Sequence, residues 1–238
     1  MHRPSARDNP QTPLSHHYLD SSHITPGVLR GGVEAGAWRV DASWFRGREP
    51  DEERLDLDLG ELDSGALRIG WTRGVWSAQV SGAYVTKPQI MMPLDEKKLT
   101  ASLAYSGGDD TRGIDWLLAF GQDRDLHGNL EAYMFEATFR PDEKNSIYTR
   151  LEVVAKDILD AGFHRPGFRD IHRQSQIGAV TIGYVRKLFQ SRAGSIGVGG
   201  DITGYAVPLN LQESYGDPLS LHVFLRYHTP RRPSAHVH

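Results

Sequence analysis

The sequence has 238 residues, a formal net charge of −3 and no cysteine. Such a charge balance creates no global basic field that would attract nucleic acid, and a chain without thiols forms neither disulfides nor thiolate metal sites. No apolar run approaches the roughly 18 residues of a membrane helix, which excludes a helical membrane protein. A membrane β-barrel remains open, because its strands alternate lipid-facing residues with polar ones.

Residues 1–22 are polar and contain several prolines, so we predict an N-terminal loop segment. Four potential metal ligands lie in it or just after it: His16, His17, Asp20 and His23. Imidazole and carboxylate groups suit zinc, nickel or copper, but a solvated loop that contains histidines explains the same residues. The start of the chain lacks the apolar core of a secretion signal.

From residue 23 to residue 228 the sequence predicts about eleven β-strands, because apolar and polar side chains alternate with a period of two. The clearest example is a hairpin at residues 64–86, where Gly74 can supply the positive φ of a tight turn. Each apolar face of this hairpin is about ten residues long, which is the length of a tilted strand that crosses a bilayer. The first predicted strand spans 23–36, and the apolar faces of the later ones are Trp38, Val40, Ala42 and Trp44; Leu67, Ile69 and Trp71; Trp76, Ala78, Val80, Gly82 and Tyr84; Leu99, Ala101, Leu103 and Tyr105; Ile114, Trp116, Leu118 and Phe120; Tyr133, Phe135, Ala137 and Phe139; Ile147, Thr149, Leu151 and Val153; Ile177, Ala179, Thr181, Gly183 and Val185; Ile196, Val198, Gly200 and Ile202; and Leu219, Leu221, Val223, Leu225 and Tyr227.

Short and long connections alternate in this prediction. The short turns lie near Ala35, Arg73, Gly108, Asp142 and Arg192, and the longer loops lie near Asp51, Met91, Arg124, Phe168 and Glu213. The longer loops include residues 121–129 and 208–218, and the turn near Arg192 spans 190–194. Outer-membrane barrels have short periplasmic turns and longer outside loops, whereas a soluble Greek-key sandwich has no reason to keep this order.

These patterns predict an all-β fold, an antiparallel up-and-down transmembrane β-barrel of about 11 to 12 strands that need not be complete in this chain. The barrel domain spans residues 23–228, and residues 229–238 form a disordered tail. An odd strand count would make the N-terminal segment an outside loop whose preceding strand is missing. We therefore expect the chain to be the C-terminal part of a longer, signal-bearing precursor delivered to the bacterial outer membrane.

If the apolar faces meet lipid, the opposite faces line the interior. The predicted pore-lining residues are Arg39, Asp41, Arg68, Gln79, Glu136, Arg150, Glu152, His222 and Arg226. A hydrated interior with both charge signs would conduct small solutes or ions, whereas charges that pair with one another would form a closed polar network. Aromatic residues near the short turns are predicted to form an interfacial girdle, namely Trp38, Trp71, Trp76, Trp116 and Phe139.

The partners expected from this interpretation are a lipid bilayer and small solutes, without nucleic acid and without a cofactor. No enzyme is indicated, because the sequence has no nucleophile elbow, zinc-protease motif, P-loop or dinucleotide fingerprint. Two alternatives remain open at this point. One is a soluble β-barrel that binds an apolar ligand with Trp71, Trp76, Val80 and Leu103 facing inward, and the other is a non-conducting structural or metal-binding surface barrel.

The stretch FRGREPDEERLDLDLGELDSGALRI, residues 45–69, resembles a recurrent signature in a poorly characterised family of bacterial outer-membrane β-barrel proteins. Flanking stretches at 2–25, 77–89 and 148–159 are also similar to that family, and REPDE and LDS are the most specific parts. The resemblance covers most of the chain from His2 to about Arg226. It implies a barrel in the outer membrane and no catalytic mechanism. Relatives are longer at the N-terminus and carry a signal peptide and further strands.

Overall fold

A computed structural model describes residues 3–19, 25, 27–48, 60–88, 94–109, 111–125, 128–156, 174–191 and 194–229. Eleven strands form one sheet, in which each strand pairs antiparallel with its neighbours along the chain. They are β1 (Val28–Ala35), β2 (Trp38–Phe45), β3 (Ser64–Arg73), β4 (Trp76–Val85), β5 (Glu96–Gly108), β6 (Gly113–Asp125), β7 (Gly128–Arg140), β8 (Asn145–Lys156), β9 (Ser175–Ser191), β10 (Gly194–Ala206) and β11 (Leu219–His228), with two short helices α1 (His16–Leu19) and α2 (Leu209–Tyr215). The predicted all-β, antiparallel, up-and-down architecture is confirmed.

The sheet has one exposed apolar face and one largely buried polar face. On the apolar face Trp44 is 58%, Val80 53% and Leu225 81% exposed, whereas Glu136 and Arg150 on the other face are 1% and 2% exposed. Every strand contributes a large exposed apolar side chain: Val33, Trp44, Leu67, Val80, Leu99, Leu118, Tyr133, Leu151, Ile182, Ile202 and Leu225. This distribution is the reverse of that in a soluble protein, in which apolar side chains are buried and charged ones exposed.

The exposed face contradicts the orientation that the soluble-barrel alternative required. Val80, Leu103 and Trp76 were required to point into a dry interior, but all three are exposed, and Trp71 shares their face across the β3–β4 pairing. The small buried apolar clusters lie instead on the polar side of the sheet. One of them contains Leu117, Ala119 and Met134.

One strand has the opposite phase from the prediction. In β9 the residues Ala179, Thr181 and Val185 are buried on the polar face, while Val180 and Ile182 are exposed. Residue types alone did not separate the two faces, because both are apolar or small. The polar face requires the small residues, since the Tyr148 ring lies where any side chain at Gly183 would project.

Four of the five predicted short turns, those near Ala35, Arg73, Gly108 and Asp142, connect the strands as predicted. Gly36 and Gly74 form two tight hairpin turns with φ values of 58° and 59°. In the next short turn the Thr111 hydroxyl and the backbone N–H groups of Arg112 and Thr111 donate hydrogen bonds to Asp109, which hold the pKa of that carboxyl at about 2. These contacts explain why the chain reverses there without a longer loop.

Three of the predicted connections are corrected. The long loop at 121–129 does not exist, because β6 and β7 stay paired out to Asp125 and Gly128. Polar residues can continue a ladder, since backbone hydrogen bonds do not depend on side-chain hydropathy. The loop at 208–218 contains α2, and the turn at 190–194 is shorter because β9 extends to Ser191. The predicted long loops near Asp51, Met91 and Phe168 lie outside the described residues.

The aromatic residues near the short turns lie together on the apolar side. Trp76 contacts Tyr105 and Trp116, with ring centroids 5.0 and 5.5 Å apart. Trp38 is directly opposite Trp71 in the β2–β3 pairing. The predicted grouping of these side chains at one end of the strands is therefore present, and their role as a membrane girdle remains a prediction.

The two ends of the sheet are β1 and β11, and no pairing between them occurs among the described residues. Closure into a barrel therefore stays a prediction. Both edge strands have odd numbers in an up-and-down order, so they run in the same direction. Within the described ranges neither helix has the length and apolar character needed to span a bilayer.

Candidate functional site on the polar face

Residues 3–19 lie against the polar face of the sheet, and the prediction of an outside loop is wrong for them. They reach from Lys98 on β5, whose Nζ donates to the His17 carbonyl oxygen at 3.5 Å, to Arg226 on β11, which bonds Asp8. The sheet therefore curves around this segment. The physical reason is complementarity, because its polar groups satisfy carboxylates that the strands would otherwise bury alone.

Glu136 is the centre of this contact. Its carboxylate accepts hydrogen bonds from Arg3 Nε at 2.6 Å, from the Ser5 hydroxyl at 2.7 Å and from Arg150 Nε at 3.2 Å. Arg150 also donates from Nη1 to the Gln11 carbonyl oxygen at 2.8 Å. Glu136 and Arg150 thus form a buried ion pair, and the N-terminal segment adds hydrogen bonds to both partners.

A second group of polar contacts surrounds Asp201 on β10. Its carboxylate accepts from the Tyr148 hydroxyl at 2.8 Å and from the Gln11 side chain, and it lies 3.2 Å from His222 Nδ1. Gln11 Nε2 is also 2.7 Å from the same ring nitrogen. Asp201 therefore links three strands to the N-terminal segment.

The segment is held at both of its ends. At its C-terminal end the Ser15 backbone and hydroxyl donate to Glu152 at 3.0 and 2.7 Å. At its N-terminal end Asp8 accepts from Ser146 and from Arg226. Gly121 allows the close approach of α1, because a Cβ there would overlap the Tyr18 carbonyl oxygen. We call the polar face of β7 to β11, together with residues 3–19, the filled half.

The polar face of β1 to β5 has no comparable cover among the described residues, and we call it the hollow half. It borders a cavity of about 580 Å³ whose lining includes Arg3, Arg30, Arg39, Asp41, Arg68, Gln79, Ser81, Thr100 and Ser102. Small residues on β4 and β5 leave this space open, since serine and threonine fill little of the width between strands. The cavity extends from the short-turn end at Ala37 and Thr72 to α1 at His16 and Leu19.

In the hollow half, Asp41 binds two arginines, Arg30 and Arg39. Arg39 donates to it from Nε at 2.7 Å and from Nη2 at 2.9 Å, and Arg30 donates from Nη2 at 3.0 Å. Arg39 also reaches Glu34 at 2.6 Å. Gly32 on β1 gives this carboxylate its space, because a Cβ there would lie 2.6 Å from Asp41 Oδ1.

The nine residues predicted to line a pore all lie on the polar face, in two groups. The hollow half contains Arg39, Asp41, Arg68 and Gln79, and the filled half contains Glu136, Arg150, Glu152, His222 and Arg226. Sequence reasoning missed the side chains of the segment that bind the second group, namely Arg3, Ser5, Asp8, Gln11 and Ser15, and also missed Tyr148 and Asp201. A lone carboxylate in the glycine-rich strand β10 was the signal available for Asp201.

The predicted metal ligands are only partly described. His16 and His17 lie in α1 with ring centroids 4.0 Å apart, and His16 Nδ1 is 2.8 Å from the Pro13 carbonyl oxygen. Asp20 and His23 lie outside the described residues. Within the described part of the chain no group of three metal-ligating side chains occurs. A metal site at this segment remains a prediction.

No protein-family model and no curated protein matches this chain. Among solved structures it is similar to an anion-selective porin from Comamonas acidovorans, with 14% identity and a TM-score of 0.49 over 85% of this chain and 55% of that one. It is also similar to a loop-deletion mutant of OmpT, an outer membrane protein of Vibrio cholerae, with 12% identity and a TM-score of 0.48 over 84% of this chain and 62% of that one. The chain thus spans little more than half the length of these structures.

Proposed function

We propose that this chain forms the wall of a bacterial outer-membrane β-barrel and that the hollow half of its polar face passes small solutes by diffusion. The polar cavity beside Arg39, Arg68 and Gln79, on the inner side of a sheet with a largely apolar outer side, is the observation that carries the proposal. Lipid on one side and water on the other is the environment that satisfies both faces.

The membrane part of the proposal rests on the apolar face. Soluble monomers rarely expose contiguous apolar patches larger than a few hundred Å², whereas here all eleven strands contribute large apolar side chains. The strands β3 to β8 have 10 to 13 residues, and a tilted strand needs about 9 to 11 to cross a bilayer. Tryptophans near the short turns fit an interfacial position.

Insertion also requires that the two edges of the sheet are paired. Unpaired N–H and C=O groups of β1 and β11 would be costly in hydrocarbon, where no water is present to bind them. Because these strands run in the same direction, direct pairing would be parallel, and antiparallel closure would require an odd number of further strands. Closure of the sheet into a barrel is therefore the first property to test.

The conduction part of the proposal rests on the contrast between the two halves. In the filled half the carboxylates of Glu136, Glu152 and Asp201 are occupied by residues 3–19. In the hollow half the side chains of Ser81, Thr100 and Ser102 are short and the cavity beside them is open. Hydrated small solutes would pass along this side, in contact with hydroxyl and guanidinium groups.

A non-conducting structural barrel is the second candidate, and the filled half favours it. If residues 3–19 also covered the hollow half in the membrane, their polar groups and those of the strands would form a closed network without a passage. Purified protein reconstituted in planar bilayers separates the two candidates. A folded barrel is heat-modifiable, which means that it migrates differently on a gel before and after heating. We expect such protein to give discrete conductance steps. Heat-modifiable protein without conductance would support the structural candidate.

A bulky side chain in the hollow half should narrow the passage. Ser102 lines the cavity, and its neighbour Leu103 points to the apolar face. We expect Ser102→Trp to lower single-channel conductance by about twofold or more, because the indole occupies space next to the passing solute. Leu103→Trp is the matched control, since it adds the same group on the outer side. Equal conductance in the two variants would contradict a passage along β5.

A further inference from the structure

Among the described residues of the proposed passage, one cation is left without a protein partner. We propose that Arg68 gives the hollow half a preference for small anions over cations, which rests on the proposed channel function. Arg68 lies near the middle of β3, where its Cα is opposite Asp41 on β2 and Ser81 on β4, and its side chain lines the cavity. Among the residues that line this cavity, arginines outnumber carboxylates, namely Arg3, Arg30, Arg39 and Arg68 against Asp41.

The carboxylate nearest in register to Arg68 is already occupied. Asp41 accepts three hydrogen bonds from Arg30 and Arg39, and it is buried beneath them. Arg39 has a further carboxylate partner, Glu34, 2.6 Å from its Nη1. Two arginines and two carboxylates therefore balance one another on β1 and β2, and this cluster adds no net charge to the cavity.

The arginine at the other side of the cavity, Arg3, also has a carboxylate partner. Arg3 Nε lies 2.6 Å from Glu136 Oε1, although that carboxylate is shared with the buried Arg150. The guanidinium of Arg3 therefore faces Glu136 in the filled half. Arg3 contributes less positive potential to the cavity than its position suggests, because its guanidinium already faces an anion.

Arg68 differs from the other three arginines of the cavity. Within the described part of the chain it makes no hydrogen bond or ion pair to protein, and it remains partly exposed. The flanking residues on the same face are Ala66 and Gly70, which leave the side chain free to extend into the cavity. Its five N–H donors in a planar fork match the oxygens of carboxylates and phosphates, and its charge attracts halides.

The position of this charge explains why it would affect selectivity. A fixed positive charge within a few ångströms of a narrow passage, beside a wall of low permittivity, raises the local concentration of anions and lowers that of cations. Exposed charges at the outer surface have little such effect, since water and salt screen them beyond about 10 Å at 0.1 M ionic strength. One unpaired guanidinium can therefore contribute more to the potential in the passage than several paired ones.

The reversal potential in a tenfold KCl gradient tests the assignment. We expect the reconstituted protein to prefer chloride over potassium, and we expect Arg68→Gln to lower the chloride-to-potassium permeability ratio by about threefold or more. Arg68→Lys keeps the charge and should keep most of the preference. The matched control is Arg124→Gln, which removes an exposed charge on the outer side at the far end of β6.

Each outcome of this experiment has a distinct meaning. An unchanged ratio in Arg68→Gln, or a cation preference in the unmodified protein, would overturn the assignment while leaving the channel in place. A heat-modifiable barrel that conducts nothing would overturn the channel and the assignment together. Equal loss of preference in Arg68→Gln and Arg124→Gln would also contradict it, because the effect would then come from total charge and not from the cavity.

Discussion

Replacing Glu136 with alanine is expected to lower the free energy of unfolding by about 3 kcal/mol, because breaking a buried ion pair leaves the partner charge uncompensated. Arg150 is the partner, and it is almost fully buried with one remaining bond to the Gln11 carbonyl oxygen. Arg3 loses its partner as well but can turn toward water, since its side chain is a quarter exposed. Denaturant titration of the folded protein in detergent, followed by gel migration, measures the change.

Glu34→Ala is the matched control for this prediction. Glu34 also pairs with an arginine, Arg39, but its side chain is 66% exposed, so its loss should cost about 0.5 kcal/mol or less. Removing both charges of the buried pair, with Glu136→Leu and Arg150→Met together, should recover part of the loss, since neither group is then left alone. If Glu136→Ala and Glu34→Ala proved equally stable, Glu136 would not be a buried centre of the filled half.

Deleting residues 3–19 is expected to raise single-channel conductance by about twofold or more, because the space beside β7 to β11 would become available to water and ions. The segment covers Glu136 and Glu152 and bridges to Asp201, so its removal exposes carboxylates as well as volume. Planar-bilayer recording of the deletion variant, compared with the full chain at the same salt concentration, measures the effect. Unchanged conductance would show that ions never approach the filled half.

A point variant tests the same idea without shortening the chain. Gly121 touches the backbone of Tyr18, so Gly121→Leu should displace α1 and raise conductance in the direction of the deletion. Gly82→Leu is the matched control, because a Cβ at that position is 3.8 Å from the nearest atom, the Lys98 carbonyl oxygen, and points to the apolar side. A rise in conductance for both variants would mean that the added bulk disturbs the sheet itself.

Much of the strand architecture could be predicted, because alternation of side chains is a local property of each strand. Tyr133, Phe135 and Phe139 on β7 are bulky and apolar, and Glu136 opposite them is charged, so the faces were clear. In β9 the contrast is weak, since Ala179 and Val180 are both apolar, and the packing of Tyr148 on Gly183 decides the phase. That contact joins two strands, so the residue pattern of neither strand alone indicates it.

The interior contacts of the N-terminal segment were not predictable for a related reason. Ser5 and Glu136 are separated by 131 residues, and Asp8 and Arg226 by 218. A polar, proline-bearing segment has the same composition whether it lies in water or against buried carboxylates. The charged residues of the strands were predicted to share one face of the sheet, but the groups that bind them could be identified only from the three-dimensional arrangement.

Single-cysteine labelling along β4 tests most directly whether the apolar face meets lipid while the polar face meets water. The chain contains no cysteine, so a fluorophore can be placed in turn at Gln79, Val80, Ser81 and Gly82. We predict quenching by lipid-attached nitroxide at 80 and 82, and quenching by aqueous iodide at 79 and 81. Lipid-attached nitroxide that quenched 79 and 81 instead, or all four positions equally, would contradict the account.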